Sequence, residues 1–462
     1  MTLIKNISGF RGTVGGNNSE NLTPVDIVNS IAAFSQLIKD KNPGNNNIYI
    51  TVGRDGRKSG KFIHEIVNST FCSMGINIID VGISTTPTVC WGVLNNDSLG
   101  GLMITASHNP EEYNGLKFFN SNGEFLSSED VTKLIELSES NNYFFSNNDS
   151  IGKIIKYDNI IDDHIDAILK LQILPLKKIQ DLDISITADT INSGGAIAIP
   201  KLLNKLDIKF NIINKEINGV FSHNPEPLAE NLTYLSKSII ENNSDLGIAV
   251  DPDVDRLVFF DENGKILGEE YTQVFCADYV LSKTKGDTVS TLSSSNALRD
   301  LTLSYGQKYY STPVGEMNVV KMMKETNSVV GGEGGGGIIY PKLHYGRDAL
   351  VGIALFLALL VEKKCKVSNL KAQYSEYFMK KIKIILKDSD LIDKTFEIIS
   401  KNYAHLSPNL QDGVRIDFED AWVHMRKSNT EPIIRIFAES VSQEIADKYA
   451  FRIEKEIKSI SA

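Results

Sequence analysis

Three aspartates at alternate positions, Asp251-Pro252-Asp253-Val254-Asp255, end in Arg256 and follow the apolar run LGIAV at 246–250. In extended chain, residues two apart face the same side. Such a loop can therefore aim all three carboxylates at one cation. Hard oxygen ligands select Mg²⁺ or Ca²⁺ over zinc. A helix–loop–helix calcium loop fails here, because its sixth position is Arg256 rather than glycine and strand-like LVFF follows. A solvated acidic turn is the simpler alternative. The buried strand in front of the loop and the arginine behind it favour metal.

Three further loops carry chemistry of a related kind. Thr105-Ala106-Ser107-His108-Asn109-Pro110 also follows a short apolar run. Ser107 is a candidate nucleophile or phosphate carrier on an exposed loop, provided a base, a metal or a transferable phosphate activates it. A polar turn closed by proline is the competing reading. Gly331 to Gly337 encloses Glu333 among six glycines. Bare backbone can approach a ligand there, and the carboxylate suits bidentate bonding to sugar hydroxyls. Arg426-Lys427-Ser428-Asn429-Thr430-Glu431-Pro432, followed by Arg435, gathers cations, hydroxyls and an amide suited to phosphate oxygens. Gly9 to Gly15 adds Arg11 between flexible glycines. No GxxxxGK[ST] run is present, so a P-loop is not supported.

The elements that must hold these loops follow a repeated rhythm. Strands at 48–53, 76–81 and 101–105 alternate with a helix at 57–73. The pattern restarts with a strand at 184–188, a helix at 193–205, strand at 210–213, a helix near 228–242 and a strand at 246–250. It restarts again with strands at 289–292 and 329–331, helices near 295–305 and 315–325, and an apolar helix at 349–361. Short apolar strands alternating with amphipathic helices imply α/β layers. After Lys366 the order changes to a strand near 377–386, a helix near 390–403, strands at 413–418 and 433–439 and a helix at 442–457. That is a smaller α+β unit. The expected units are 1–150 with the serine loop, 151–256 ending in the acidic loop, 257–366 with the glycine-rich loop, and 367–462. The predicted class is α/β, with three similar mixed units and a smaller C-terminal α+β lid around a central cleft.

Composition narrows the function. The chain has 462 residues, 42% hydrophobic and 23% charged, which suits several folded domains and argues against disorder, collagen or a coiled-coil rod. A net charge of −10 argues against a general nucleic-acid binder. Four cysteines with no CxxC pair support neither a zinc ribbon nor a disulfide framework and fit a reducing cytoplasm. The first residues lack the apolar core of a signal peptide. The run ALVGIALFLALLV at 349–361 is short of the roughly 20 residues needed to cross a bilayer and reads as a core helix.

Taken together, TASHNPEEYNGLK at 105–117, DPDVDR at 251–256 and RKSNTEP at 426–432 resemble the α-D-phosphohexomutase family, and the resemblance runs from Arg11 to Arg435. It implies that Ser107 carries the phosphate and that Asp251, Asp253 and Asp255 hold Mg²⁺ with a phosphoserine oxygen. It implies that Lys117 and Arg256 lie near the transferred group and that Arg11 is a cleft arginine. Glu333 and His108 would contact the sugar phosphate. Arg426, Ser428, Asn429, Thr430 and Arg435 would grip the phosphate that stays in place. A hexose bisphosphate would be the activator and intermediate. The partner implied is a small sugar phosphate, with no nucleic acid or membrane, and with room for a homodimer. Two departures bear on the sugar. Gly335-Gly336-Gly337 stands where many members have Ser-Gly-His, and Glu316 where some have histidine. The glycine-rich form looks most like archaeal-type phosphoglucosamine mutases, which serve cell-wall precursor synthesis. The expected reaction is then glucosamine 6-phosphate to glucosamine 1-phosphate. A phosphomannomutase/phosphoglucomutase and an inactive sugar-phosphate-binding paralogue are the alternatives.

Overall fold

The strand Tyr49–Arg54 is buried along its central residues and pairs in parallel with Asn77–Ile83 on one side and Gly100–Ile104 on the other. The computed structural model describes residues 2–385, 390–427 and 433–460. Around that strand a mixed seven-stranded sheet runs in the order Ile4–Asn6, Gly9–Thr13, Tyr113–Phe119, Gly100–Ile104, Tyr49–Arg54, Asn77–Ile83, Ile154–Lys156. Helices Pro24–Lys41, Gly60–Ser73 and Ser128–Ser140 cover one face and close a core of their own. The short helix Thr86–Asn95 covers the other face. It is capped by Thr85 and has Pro87 in its first turn.

Two four-stranded sheets repeat one plan. The first is ordered Leu257–Phe260, Leu246–Val250, Ser185–Asp189, Lys209–Ile213, and the second Tyr309–Thr312, Thr288–Thr291, Val330–Glu333, Gly337–Ile339. In each, three parallel strands end in one antiparallel edge strand. The apolar helix Ala349–Lys363 is buried from Ala349 to Leu360. It joins a single core that also takes Val89 and Cys90 from the first unit, Ile186 and Leu203 from the second and Phe275 from the third. The cysteines are all free thiols. Among the described residues no helix is long and apolar enough to cross a membrane.

The C-terminal unit is an antiparallel sheet ordered Phe378–Ile385, Ile433–Ser440, Ala421–Lys427, Val414–Asp417, backed by helices Asp390–Asn402 and Gln443–Ile460. It has a separate core. The strand Ala421–Lys427 is absent from the sequence reading. That reading put Arg426 and Lys427 at the start of a turn, whereas they end this strand. Ser428 to Pro432 lie outside the described residues. Ser107, the three aspartates, Glu333 and Arg426 sit at or just past a strand end, the usual ligand edge of such sheets, whereas Arg11, Lys117 and Arg435 lie within strands.

Candidate active site

Ser107 follows the strand Gly100–Ile104 and adopts a left-handed φ of +49°. A non-glycine residue holds that conformation only when its surroundings fix it. Thr105 Oγ1 accepts a bond from Ser107 N at 2.8 Å and donates to Asp55 Oδ2 at 2.6 Å. The fully buried Arg57 pairs with Asp55 and donates to the carbonyls of Ser107, Asn109, Pro110 and Tyr113 at 2.5, 2.7, 2.6 and 2.9 Å. One guanidinium thus sets the shape of the whole serine loop. The loop is not exposed as the sequence suggested: Ser107 keeps only 2% of its surface because the acidic loop closes over it.

The acidic loop follows the strand Leu246–Val250 and turns at Val254, with φ at +62°. Asp251 Oδ1 accepts from the backbone N–H groups of Asp255 and Arg256, each at 3.1 Å. Its Oδ2 accepts from Ser107 Oγ at 2.7 Å. Lys117, on the strand Tyr113–Phe119, donates to Asp253 Oδ2 at 2.6 Å and Asp255 Oδ2 at 2.8 Å. Thr86 Oγ1 also donates to Asp253, and Ser193 Oγ donates to Pro252 O at 2.6 Å while accepting from Gly56 N at 2.9 Å. All three aspartates are buried, and one carboxylate oxygen from each lies within 4.8 Å of the others.

Charge is the dominant problem of this loop. Burial, followed by Asp253 and Asp255, pushes the Asp251 carboxyl well above its ordinary range. Burial would also raise Asp255, but Arg347 and Lys117 outweigh it and hold that carboxyl far below the usual range. Burial would lower the Lys117 ammonium; Asp253 and Asp255 outweigh it and raise its pKa. Lys117 is therefore a fixed positive charge and not a ready base. His108 behaves oppositely: burial, then Arg256 and Arg11, lower it well below its normal value, so its imidazole is neutral. Its Nδ1 lies 3.3 Å from Ser107 Oγ.

The residues present fit a hard divalent cation. Asp253 Oδ1 and Asp255 Oδ1 are buried with no hydrogen-bond partner among the described residues. Two orphaned anionic oxygens beside Asp251 and a serine hydroxyl form an all-oxygen donor set of the kind Mg²⁺ takes.

Arg347 is the hub that sequence reading missed. It reaches Asp255 Oδ2 at 2.8 Å, Glu316 Oε2 at 2.8 Å and Glu333 Oε2 at 2.9 Å. Glu333 Oε1 also accepts from Gly315 N at 3.1 Å. The glycines around Glu333 mainly admit the protein's own side chains. A Cβ on Gly337 would lie 2.3 Å from Arg347 Cδ, and one on Gly334 would lie 2.2 Å from the Glu270 carboxylate. Arg256 carries an ion pair to Glu226 at 3.5 Å and leaves its Nε buried and without a partner among the described residues. Arg11, on Gly9–Thr13, donates to Ser8 O at 3.1 Å; burial lowers its pKa against the pull of Asp253 and Asp255.

In the C-terminal unit Arg426 and Arg435 face each other across adjacent strands. Like charges in direct register repel. Asp412 lies 3.4 Å from Arg426, but both Arg426 Nε and Arg435 Nε are buried with no hydrogen bond among the described residues. Ser428, Asn429 and Thr430, the rest of the expected clamp, lie outside the described residues.

The structure therefore brings Ser107, His108, Lys117, Asp251, Asp253, Asp255, Arg256, Arg11 and Glu333 together, with Arg426 near enough to Glu333 to feel its charge. Asp55, Arg57, Thr86, Ser193 and Arg347 were missed. The available signal was Arg-Asp beside an apolar element, in GRD at 53–55 and again at 346–348.

Comparison with known proteins gives the same outline. Models of the phosphoglucomutase/phosphomannomutase family match in four consecutive parts: alpha/beta/alpha domain I at residues 3–143, domain II at 162–264, domain III at 269–377 and the C-terminal domain at 362–456. The chain is similar to a phosphoglucomutase/phosphomannomutase of Thermococcus kodakarensis, 35% identical over 95% of this chain and 96% of the relative. It is similar to a phosphoglucosamine/phosphogalactosamine mutase of Sulfurisphaera tokodaii, 29% identical over 97% of each chain. The fold resembles the crystal structure of a phosphoglucomutase/phosphomannomutase family protein from Burkholderia thailandensis, with a TM-score of 0.83 at 21% identity over 99% of this chain and 96% of that one. The chain belongs to the phosphoglucomutase/phosphomannomutase family of phosphohexomutases, which are intramolecular phosphotransferases.

Proposed function

We propose that the chain is a Mg²⁺-dependent mutase that moves phosphate between C6 and C1 of an amino-hexose, converting glucosamine 6-phosphate to glucosamine 1-phosphate. The observation that carries the mutase reading is the 2.7 Å bond from Ser107 Oγ to Asp251 Oδ2, which puts a hydroxyl against a buried all-oxygen cation site. Asp251, Asp253 and Asp255 would hold Mg²⁺, which supplies charge neutralisation for the transferring phosphoryl group.

The chain's own residues account for the rest. Ser107 carries the phosphoryl group. Its Oγ–P bond breaks as a sugar oxygen–P bond forms, and the bisphosphate turns over before one phosphate returns to Oγ. Phosphoryl transfer has a loose, highly anionic transition state, so positioning and fixed positive charge do most of the work. Lys117, Arg256 and Arg11 supply that charge. The proton leaving the sugar hydroxyl has to end on Ser107 Oγ once its phosphoryl group has gone. His108, neutral and 3.3 Å from Oγ, is placed to pass it on. Arg426 and Arg435 would hold the phosphate that is not in transfer.

An amino-hexose is supported by Glu316 and Glu333, two carboxylates that share Arg347 with the metal-loop Asp255. Two carboxylates on a guanidinium already engaged elsewhere suit a sugar ammonium. The Sulfurisphaera relative's name points the same way. The name of the more similar Thermococcus relative supports the rival, a phosphomannomutase/phosphoglucomutase. Assays of the purified protein on glucosamine, glucose and mannose phosphates, with a bisphosphate activator, decide between them. The highest kcat/KM is expected on glucosamine phosphate; a higher value on glucose or mannose phosphate overturns the sugar assignment. Intact-mass detection of phosphate on Ser107 after incubation with the bisphosphate separates an enzyme from an inactive sugar-phosphate-binding paralogue.

A further inference from the structure

A second group of metal-ligating side chains lies away from the aspartate triad. His164, on the helix Ile160–Leu169, and His344, in the segment before the apolar helix, both point their Nε2 atoms at Asp348 Oδ2, at 3.1 and 3.2 Å. The ligating atoms all lie within 4.8 Å of one another, and the residues keep 0%, 3% and 0% of their surface for His164, His344 and Asp348. We propose that His164, His344 and Asp348 form a binding site for one zinc-type divalent ion, distinct from the Mg²⁺ site, which joins the first three units behind Arg347.

Donor chemistry selects the ion. Two imidazoles and one carboxylate suit zinc, whereas an oxygen-only set suits magnesium. Bond lengths of about 2.0–2.1 Å at a tetrahedral angle give ligand–ligand edges of about 3.3 Å, close to the two N···O separations seen. Hydrogen bonding accounts for the group less well. His344 Nε2 makes a hydrogen bond to Asp348 Oδ2, but His164 Nε2, 3.1 Å from the same oxygen, is buried without an aligned bond, and His344 Nδ1 has no partner among the described residues. Asp348 Oδ1 is already used as a helix cap, accepting from Leu350 N at 2.8 Å and Val351 N at 3.3 Å, which fixes Oδ2 toward the imidazoles. The surroundings supply the outer support that metal-bound histidine requires. His164 Nδ1 lies 3.0 Å from Thr88 Oγ1, so it can donate there while Nε2 binds metal, and Thr88 in turn contacts Thr85 Oγ1 at 2.7 Å. Trp91 stacks on the His164 ring. Thr85, Thr88 and Trp91 belong to the first unit, His164 to the helix leading into the second, and His344 and Asp348 to the third.

The test uses the full chain with the aspartate site filled by excess Mg²⁺. Zn²⁺ is titrated against a competing chelator, and Co²⁺ is added separately and followed by visible absorption. One tightly bound zinc per chain is expected, with the intense bands of four-coordinate cobalt that an octahedral oxygen site does not give. In H164Q/H344Q, zinc affinity should fall by more than the roughly 10–100-fold that loss of an outer-shell partner alone produces. Wild-type protein that binds no zinc in excess Mg²⁺, or gives only weak octahedral cobalt bands, overturns the proposal without recourse to any variant. Undiminished zinc binding by a folded H164Q/H344Q protein overturns it as well.

Discussion

At the scale of single residues, Ser107 and Lys117 separate chemistry from packing. Ser107→Ala removes the hydroxyl proposed to carry the phosphoryl group while leaving the clamp of Arg57 on the loop carbonyls intact. Turnover should fall by at least about 10³-fold, while loss of the buried hydroxyl's bond to Asp251 should cost about 1–3 kcal/mol; retained turnover in a kinetic assay refutes the carrier role. Lys117→Gln does both kinds of damage. It leaves the buried Asp253 without its cation and Asp255 with Arg347 alone, and breaking a buried pair costs about 3–5 kcal/mol. Denaturant melts and steady-state kinetics should therefore both move. The ammonium pKa is raised, so its stabilising contribution is complete below the unfolded value of about 10.4 and is lost only as pH climbs through the still higher folded value. No loss from Lys117 is expected between neutral and mildly alkaline pH. Ser107 and the three aspartates were legible as candidates in the sequence because strand ends and alternating spacing mark them. Arg57 and Arg347 were not, since the buried arginines' roles rest on distant partners such as Ser107 O, 50 positions from Arg57, and Asp255, 92 positions from Arg347.

At the scale of elements, the C-terminal sheet docks through a few polar contacts that no periodicity reveals. His424, on the strand Ala421–Lys427, bonds Ser293 Oγ at 2.8 Å and Asp412 O at 2.5 Å. Arg415 Nη1 donates to Leu292 O at 2.5 Å, and Glu439 accepts from Asn296 N at 2.8 Å. These place the lid against the turn that follows Thr288–Thr291. Burial, which outweighs the opposing pull of Asp412, pushes His424 down to about 4. Its ordinary value is about 6.5, so the unfolded chain binds the proton more readily between those limits. Stability is unaffected above pH about 6.5 and then falls by up to about 1.4 kcal/mol per pH unit toward 4. Hydrogen exchange of the lid strands at pH 5 and 7 should show this loosening, and H424Q should flatten it. An unchanged slope in H424Q would assign the effect to other groups. Most parallel strands were legible because each is a short apolar run bounded by turns; Ile154–Lys156 and Tyr309–Thr312 were not read. Ala421–Lys427 was not, since its inward run Trp422-Val423-His424-Met425 does not alternate and its end runs into the polar segment that drew attention instead.

At the scale of the molecule, the site exists only where units meet. Ser107 and Lys117 come from the first sheet, the aspartates from the second and Arg347 from the third. Sequence could name each contributor but not their convergence, which rests on long-range contacts such as the backbone bonds from Thr86 N to Asp253 O at 2.8 Å and from Ala349 N to Val254 O at 3.2 Å. This convergence couples metal binding to global stability. Three buried carboxylates within one ion's reach repel one another, and Lys117 with Arg347 offsets only part of that charge. An ion that binds only the folded chain adds about 2.7 kcal/mol at a hundred times its Kd. Mg²⁺ should raise the unfolding midpoint of the wild-type chain, and EDTA should lower it. Asp251→Asn keeps an oxygen for the N–H groups of Asp255 and Arg256 and removes one negative charge. In EDTA that variant should unfold at a higher denaturant concentration than wild type, and it should lose most of the response to Mg²⁺. Because the repulsion and the ion act on the same three carboxylates, these two effects must appear together: a wild-type midpoint indifferent to Mg²⁺, or an Asp251→Asn chain less stable in EDTA, would mean that charge at this junction is already balanced without an ion.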